Sequence, residues 1–393
     1  MQKAHVELVF ALRRPEQFAW QQDPGCNARV QKHLLAAHQR ITQAVPSADR
    51  RPQVEALLLR LRAGEMSERQ EMLLYYLLAQ CVRARDLALS RNFNQALEWC
   101  DRAVEIAGRL VDRGAQVDLH ELRGTLHRSI SFYWIAAEEF SYALRLMREH
   151  AEDTQSFDPE FEVTLAAKAA VMDYAIGNFS RAVEHVERAA ALLPLTTASV
   201  AGQGTVSWTF ALLCRQRNEL LDALQHVETA AALYRQLGAT NSTCRVLSLA
   251  ADIALDVAQS SAAEAPAARA GYLRLAVRYI EEALRVGHTA NDVPGIELAN
   301  LSRGRLDQLR SAKRAADAEA GIRRVLLHAR RMHDDSLLTA AQTELGVNLL
   351  ARGEQARGKR WLRKAVATAD RISTPSLAFR AQRILRQADG RSV

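Results

Sequence analysis

Small residues recur along this chain at one fixed spacing, a step of twelve residues followed by a step of seven. Ala84, Ala96 and Ala103 set the pattern; Ala170, Ala182 and Ala189 repeat it, as do Ala211, Ala223 and Ala230, and Gly346, Gly358 and Ala365 return to it near the end. Two helices approach closely only where the side chains between them are small. The rhythm therefore marks where one helix of a hairpin meets its mate and its neighbour, and it predicts a tandem array of helical hairpins. It favours a binding scaffold and names no partner.

The chain has 393 residues, beyond the roughly 250–300 at which a single core stops growing, so it must either split into domains or extend its core along a line. A solenoid does the second. Hydrophobic residues make up 48% and charged residues 25%, the balance of an ordinary soluble protein. Straight-chain and small helix formers dominate and β-branched clusters are nearly absent, so the fold class is all-α. No uncharged apolar stretch reaches the ~18 residues of a membrane span. The N-terminal Val6–Leu12 segment is interrupted by Glu7 and followed by Arg13 and Arg14, so neither a signal peptide nor an anchor is expected. Cys26, Cys81, Cys100, Cys214 and Cys244 are odd in number and widely spaced, which suits buried free thiols in a reducing cytoplasm.

Residues 1–69 are helical in pattern but off the repeat, and read as an N-terminal helical cap or bundle closing the exposed end of the core. Repeats occupy 70–371. The first hairpin pairs Met72–Ser90 with Asn94–Leu110, and its turn carries Phe93, an aromatic able to fold back between the helices as Phe179 does two units later. The second, Leu119–Ala136 with Phe140–His150, places Ser131, Ala143 and His150 at the small positions. Pro194 falls five residues past Ala189, where it stops a second helix. A lengthened loop over 260–266 separates Ser242–Gln259 from Tyr272–Val286 in the fifth unit. The sixth, Ile296–Arg310 and Lys313–Arg331, has helical periodicity without a clear register, and the seventh carries Gly346. Residues 372–393 form a C-terminal capping helix, starting at Pro375, and a tail.

Over Met72 to about Asp370 the chain resembles tetratricopeptide repeat (TPR) proteins, through the small-residue motif and the apolar Phe210 and Leu345 just before the first small residue. Its third small positions step mostly by nearer ~40 than the ~34 residues of the compact repeat, which resembles the helical sensor regions of bacterial regulators. The resemblance implies a right-handed superhelical solenoid of about seven hairpins, with first helices lining a concave face that holds a peptide or protein segment. Carried over position by position, the partner-binding residues are Arg85, Arg128, Phe132, Tyr174, Trp208, Leu212 and Arg215. Phe132 and Trp208 equally suit the filling of gaps between repeats. An adaptor or sensor in bacterial regulation follows. The layout also resembles the Rap-type regulators, whose bundle engages a response regulator while a signalling peptide occupies the groove; residues 1–69 show no motif that carries over their catalytic glutamine.

Sites of chemistry are not apparent. There is no Gly-x4-Gly-Lys-Ser/Thr loop, no His-Glu-x-x-His, no Gly-x-Ser-x-Gly and no zinc-spaced ligand set, so no catalytic residue, metal or cofactor is expected. Gly202-Gln203-Gly204 reads as an inter-repeat turn. Charge is uneven: residues 301–393 carry 20 Lys and Arg against 9 Asp and Glu, a net of +11, whereas the first 300 carry 32 against 36. Arg357, Lys359, Arg360, Arg363 and Lys364 concentrate it on one predicted helix, with Trp361, Leu362 and Ala365 inward. That patch is a solvated helix face first and a site for nucleic acid or another anionic partner second. Whether the caps support a homodimer stays open.

Overall fold

The computed structural model describes residues 93–154, 158–196, 200–260, 265–310, 315–332 and 334–389, with Glu68, Met72, Tyr75, Tyr76 and Ala79 ahead of them. The expected cap over 1–69, except Glu68, and the middle of the loop over 260–266 lie outside the described residues. Among the described residues the regular structure is entirely helical. The chain divides into two compact units, Met1–Asp158 and Pro159–Val393.

The first unit contains α1 (Asn94–Arg109), α2 (Arg113–Ser129) and α3 (Tyr133–Thr154). Met72, Tyr75, Tyr76 and Ala79, from the first helix of the opening hairpin, pack into one core with Phe93, Ala96, Trp99, Ala103 and Leu122. Phe93 folds back as its position in the turn predicts, and is fully buried. The second hairpin corrects the expected register. Its turn lies at Ile130–Phe132, where Ser131 takes φ 65°, so Ser131 is no helix contact and Ala136 belongs to the second helix. The small positions are Gly124, Ala136 and Ala143, the same 12-then-7 step moved seven residues earlier. The reason is steric: a Cβ on Gly124 would stand 2.8 Å from the Phe140 ring.

The second unit contains α4 (Pro159–Ala175), α5 (Phe179–Leu192), α6 (Val200–Gln216), α7 (Leu220–Gln236), α8 (Thr240–Ser260), α9 (Pro266–Ala290), α10 (Val293–Arg310), α11 (Ala315–Arg331), α12 (Asp335–Ala351), α13 (Gln355–Arg371) and α14 (Pro375–Ala388). Even-numbered helices are first helices, and each is covered by the odd-numbered helix that follows it, with α14 last. Turns are made by one left-handed residue, such as Gly177 (φ 80°), Asn218 (φ 64°) or Gly353 (φ 82°). The next N–H then reaches back over the helix end: Asn178 donates to the Asp173 carbonyl at 2.8 Å, and Glu354 to that of Leu349 at 2.9 Å. α5 ends at Leu192, and the 3₁₀ turn Leu193–Leu195 holds Pro194, as the proline predicts.

Two further expectations change. Gly202 and Gly204 are not a turn; both are buried within α6, and a Cβ on Gly204 would meet the Tyr234 ring at 3.1 Å. Gly204 lets α6 and α7 approach. In the sixth hairpin Gly304 supplies the close contact, facing Ile322 and the Ala318 carbonyl. The array then returns on itself. α14 packs against α12 and α13 and also against α4, where Ser376 Oγ donates to the Ala175 carbonyl at 2.8 Å across 201 residues of sequence. Six first helices thus run once around the unit and meet.

A close small-residue contact that reaches the backbone is in the seventh hairpin, where a Cβ on Gly346 would lie 2.7 Å from Leu362 Cγ and 3.1 Å from the Gly358 carbonyl oxygen. Gly346→Val therefore costs about 1–3 kcal/mol by overpacking. Gly321, with nothing within 4 Å of its added Cβ, is the control: Gly321→Ala gains up to about 1 kcal/mol of helix propensity. Urea unfolding of both variants reads the difference.

Candidate ligand-binding site on the inner face

The first helices of the second unit carry polar residues where a helix buried on all sides should carry none. On α8, Asp252 and Asp256 stand one turn apart among Ile253, Ala254, Leu255 and Ala258, all buried. α10 adds Ser302 and Arg305, 1% and 2% exposed. α12 adds Gln342, Thr343, Glu344 and Asn348, also buried. A buried charge is stable only when matched and hydrogen-bonded, and here the matching runs from helix to helix around the inner face.

Asp256 holds its centre. Arg215 of α6 donates from Nε to Asp256 Oδ2 at 2.8 Å, and Arg305 of α10 donates from a terminal nitrogen to Asp256 Oδ1 at 2.6 Å. Arg305 also donates to the Asp252 carbonyl at 3.2 Å and to Gln259 Oε1 at 3.3 Å, while Ser302 Oγ donates to Asp252 Oδ1 at 2.9 Å. On the other side Arg380 of α14 pairs with Glu344 of α12. Burial works to raise the Asp256 carboxyl, but Arg215, Arg305 and Arg380 overcome it and hold the group below the usual carboxylate range. Burial lowers Arg380, and the Arg305 guanidinium lowers it further, to about 9, against the pull of Asp256 and Asp252. Burial raises the Tyr174 phenol, and Arg215 opposes it.

Two buried atoms in this network are unspent. Arg305 Nε, a donor, and Glu344 Oε2, an acceptor, have no hydrogen-bond partner among the described residues. Nearby, the third hairpin is clamped by acids of α4 reaching bases of α5: Glu162 accepts from Arg188 Nε at 3.0 Å, and Asp173 lies 3.4 Å from His185 Nε2 and 3.6 Å from Arg181 Nε.

Of the residues expected to bind a partner, Tyr174 and Arg215 come together on this face. Tyr174 also meets the Phe179 ring edge-on at 5.7 Å. Arg215 is spent on Asp256, so charge reversal there strikes stability as well as binding. Trp208 packs against the core of α7 and α8, edge-on to Tyr234 at 6.5 Å, which is gap filling. Leu212 is half-buried on α6. Arg128 and Phe132, at the end of α2 and in its turn, are exposed and belong to the first unit. Arg85 lies outside the described residues. The basic residues sit on α13, a second helix: Arg357 pairs with Glu354, Lys359 with Asp389 at 2.6 Å, and Lys364 stands over the Trp361 ring at 4.6 Å. Arg360 and Arg363 are exposed. Sequence reasoning missed Asp252, Asp256, Arg305, Glu344 and Arg380. The one available signal was two acids at i and i+4 inside the otherwise apolar run Leu249–Ala258.

In the first unit His120 Nδ1 lies 2.6 Å from Glu139 Oε2, and Arg123 lies 3.3 Å from both Glu139 and Asp101. Among the described residues no group of three His, Cys, Asp or Glu could hold a metal ion, and no helix is long and apolar enough to cross a membrane.

Because Asp256 titrates lower in the folded chain than in the unfolded one, the unfolded chain takes up its proton first as pH falls. The stabilisation is complete above about pH 4 and is lost progressively as pH drops towards the folded value. Asp256→Asn leaves two buried guanidinium groups without their shared anion and costs about 3–5 kcal/mol. Urea unfolding at neutral and acid pH shows that loss, together with a shallower acid dependence than the parent's.

No family model matches the sequence, and no curated protein matches it. Solved structures do share its fold. A Rap protein complexed with Competence and Sporulation Factor superposes with TM-score 0.58 at 14% identity, over 93% of this chain and 98% of that one. Aspartyl phosphate phosphatase F from Bacillus subtilis gives 0.57 at 12%, over 93% and 90%. The apo form of the quorum sensor NprR from B. thuringiensis gives 0.57 at 13%, over 93% and 95%. At these identities the likeness is one of fold: the chain is an array of helical hairpins that shares the fold of those three proteins.

Proposed function

We propose that the chain is a non-enzymatic scaffold that holds a peptide or protein segment on the inner face of Pro159–Val393, as an adaptor or sensor in bacterial regulation. The observation that carries this reading is the unspent pair on that face, the Arg305 Nε donor and the Glu344 Oε2 acceptor. Buried polar groups without partners are rare, and each peptide unit of an extended segment brings one acceptor and one donor. Arg380, whose charge is disfavoured by burial and by Arg305, suits an acidic side chain or terminal carboxylate. Tyr174 supplies amphipathic contact area near Arg215. The acids serve as counter-charges to guanidinium groups, a use that favours binding over proton transfer. A cytoplasmic placement belongs to the same reading, supported by the free thiols Cys100, Cys214 and Cys244.

The shared fold with a Rap protein and with an aspartyl phosphate phosphatase favours a finer version, in which the first unit engages a response regulator and the peptide on the inner face controls it. Its test is phosphate release from a phosphorylated response regulator. Activity that survives removal of residues 1–69 overturns it.

Peptides selected from a random displayed library and titrated calorimetrically test the main reading. Tyr174→Ala and Arg380→Ala each weaken the selected peptide at least about fivefold. A library that yields no binder, or variants that bind as the parent does, counts against the inner face.

A further inference from the structure

The unspent groups of the inner face are shut away from solvent. Arg305 Nε and Glu344 Oε2 are buried without a hydrogen-bond partner among the described residues, and Arg305 as a whole is 2% exposed. A ligand reaches them only if part of the unit moves. α14 lies across the face: its Arg380 pairs with Glu344 of α12, and the charges of Arg305 on α10 and of Asp256 and Asp252 on α8 act on that guanidinium.

α14 is held unequally on its two sides. Towards α13, its Ala381 joins Leu362 and Ala365 in one core, with Ile384 and Leu385 packed against it, and the Thr374 N–H ties the connecting turn to the Ala369 carbonyl at 2.9 Å. Towards α4 the contact is the first turn of the helix. Ser376 Oγ donates to the Ala175 carbonyl at 2.8 Å, and Pro375 fills the space over Gly177, where an added Cβ would stand 2.8 Å from the proline Cγ. Phe379, three residues on from Ser376 and so beside it on the helix surface, is already 38% exposed. The seam is therefore not packed along the length of α14. Parting it breaks one hydrogen bond and one proline contact, whereas the joints from α6 through α12 run through packed apolar cores.

We infer that α14 is a clasp on the inner face: with its packing on α13 kept, it parts from α4 at Ser376 and Pro375 to admit a ligand. The clasp sits at the site it guards, since Ala175, which accepts from Ser376, directly follows Tyr174. The inference rests on the reading of the inner face as the binding site and adds how entry to it is controlled. Apparent affinity then scales with the fraction of molecules whose clasp is open, so weakening the clasp strengthens binding and locking it blocks binding.

The seam supplies its own lock. A Cβ on Gly177 would lie 3.8 Å from the Pro375 Cβ, the separation a disulfide takes, so the oxidised double variant G177C/P375C pins α14 to α4. The full chain is treated with phenylglyoxal, a guanidinium reagent, and modification of Arg305 is followed by mass spectrometry. A thiol reagent at Cys244, fully buried on α8, reads wholesale unfolding. Oxidation slows Arg305 modification at least about tenfold and leaves Cys244 unchanged, and dithiothreitol reverses the effect. Ser376→Ala, which needs no new thiol, speeds Arg305 modification about threefold. A peptide selected on the reduced variant associates with the oxidised one at least about tenfold more slowly. The clasp is overturned if Arg305 reacts alike with the seam locked and free, if Arg305 and Cys244 slow together, or if Ser376→Ala changes nothing. The labelling needs no ligand, so a library without a binder fails the binding reading alone, and labelling indifferent to the lock fails the clasp alone.

Discussion

The close approach of helices at Ala and Gly positions carries the rest of this structure. In the seventh hairpin it is nearly backbone on backbone: a Cβ on Gly358 would stand 2.9 Å from the Gly346 carbonyl oxygen, and one on Gly346 3.1 Å from that of Gly358. Ala182, Ala189, Ala223 and Ala230 do the same work in the third and fourth hairpins and are fully buried. Small contacts set a short interaxial distance, and repeating it lets each hairpin lean on the last at a constant angle.

That accumulated angle decides the chemistry of the inner face. Because α14 comes back to α4, the first helices of the second unit surround their own inner side and draw its polar groups out of water. An isolated charge there would be prohibitively costly. Asp256 therefore sits between two guanidinium groups, and Glu344 meets Arg380. Such pairs add little net stability over apolar packing, yet breaking one leaves its partner stranded. They hold α6, α8 and α10 in one register, and they leave Arg305 Nε and Glu344 Oε2 buried without a hydrogen-bond partner among the described residues.

Legibility in the sequence tracked how local each interaction is. The third, fourth and seventh hairpins were readable because their turns are short and the twelve-residue step spans only the turn. The second was misregistered because Ala143 fits either end of a seven-residue step, and only the Phe140 ring against Gly124 chooses between them. The sixth had no readable register because Gly304 faces Ala318 and Ile322, a step lengthened by the turn. Gly202 and Gly204 read as a turn in the sequence because glycine pairs usually break helices; both lie within α6, where Gly204 faces the Tyr234 ring.

By itself the sequence determined an all-helical array, its small-residue contacts and most of its turns, since each depends on residues within about one hairpin and on a period the chain repeats. It also located the basic helix α13 and placed Tyr174 and Arg215 on first helices. Only the tertiary structure decided that Arg215 and Arg305 share Asp256, that Arg380 answers Glu344, and that α14 meets α4. Those partners lie tens to hundreds of residues apart, and their meeting follows from the curvature summed over six first helices. A local period sets each increment of that curvature, but where the ring closes depends on all the increments together.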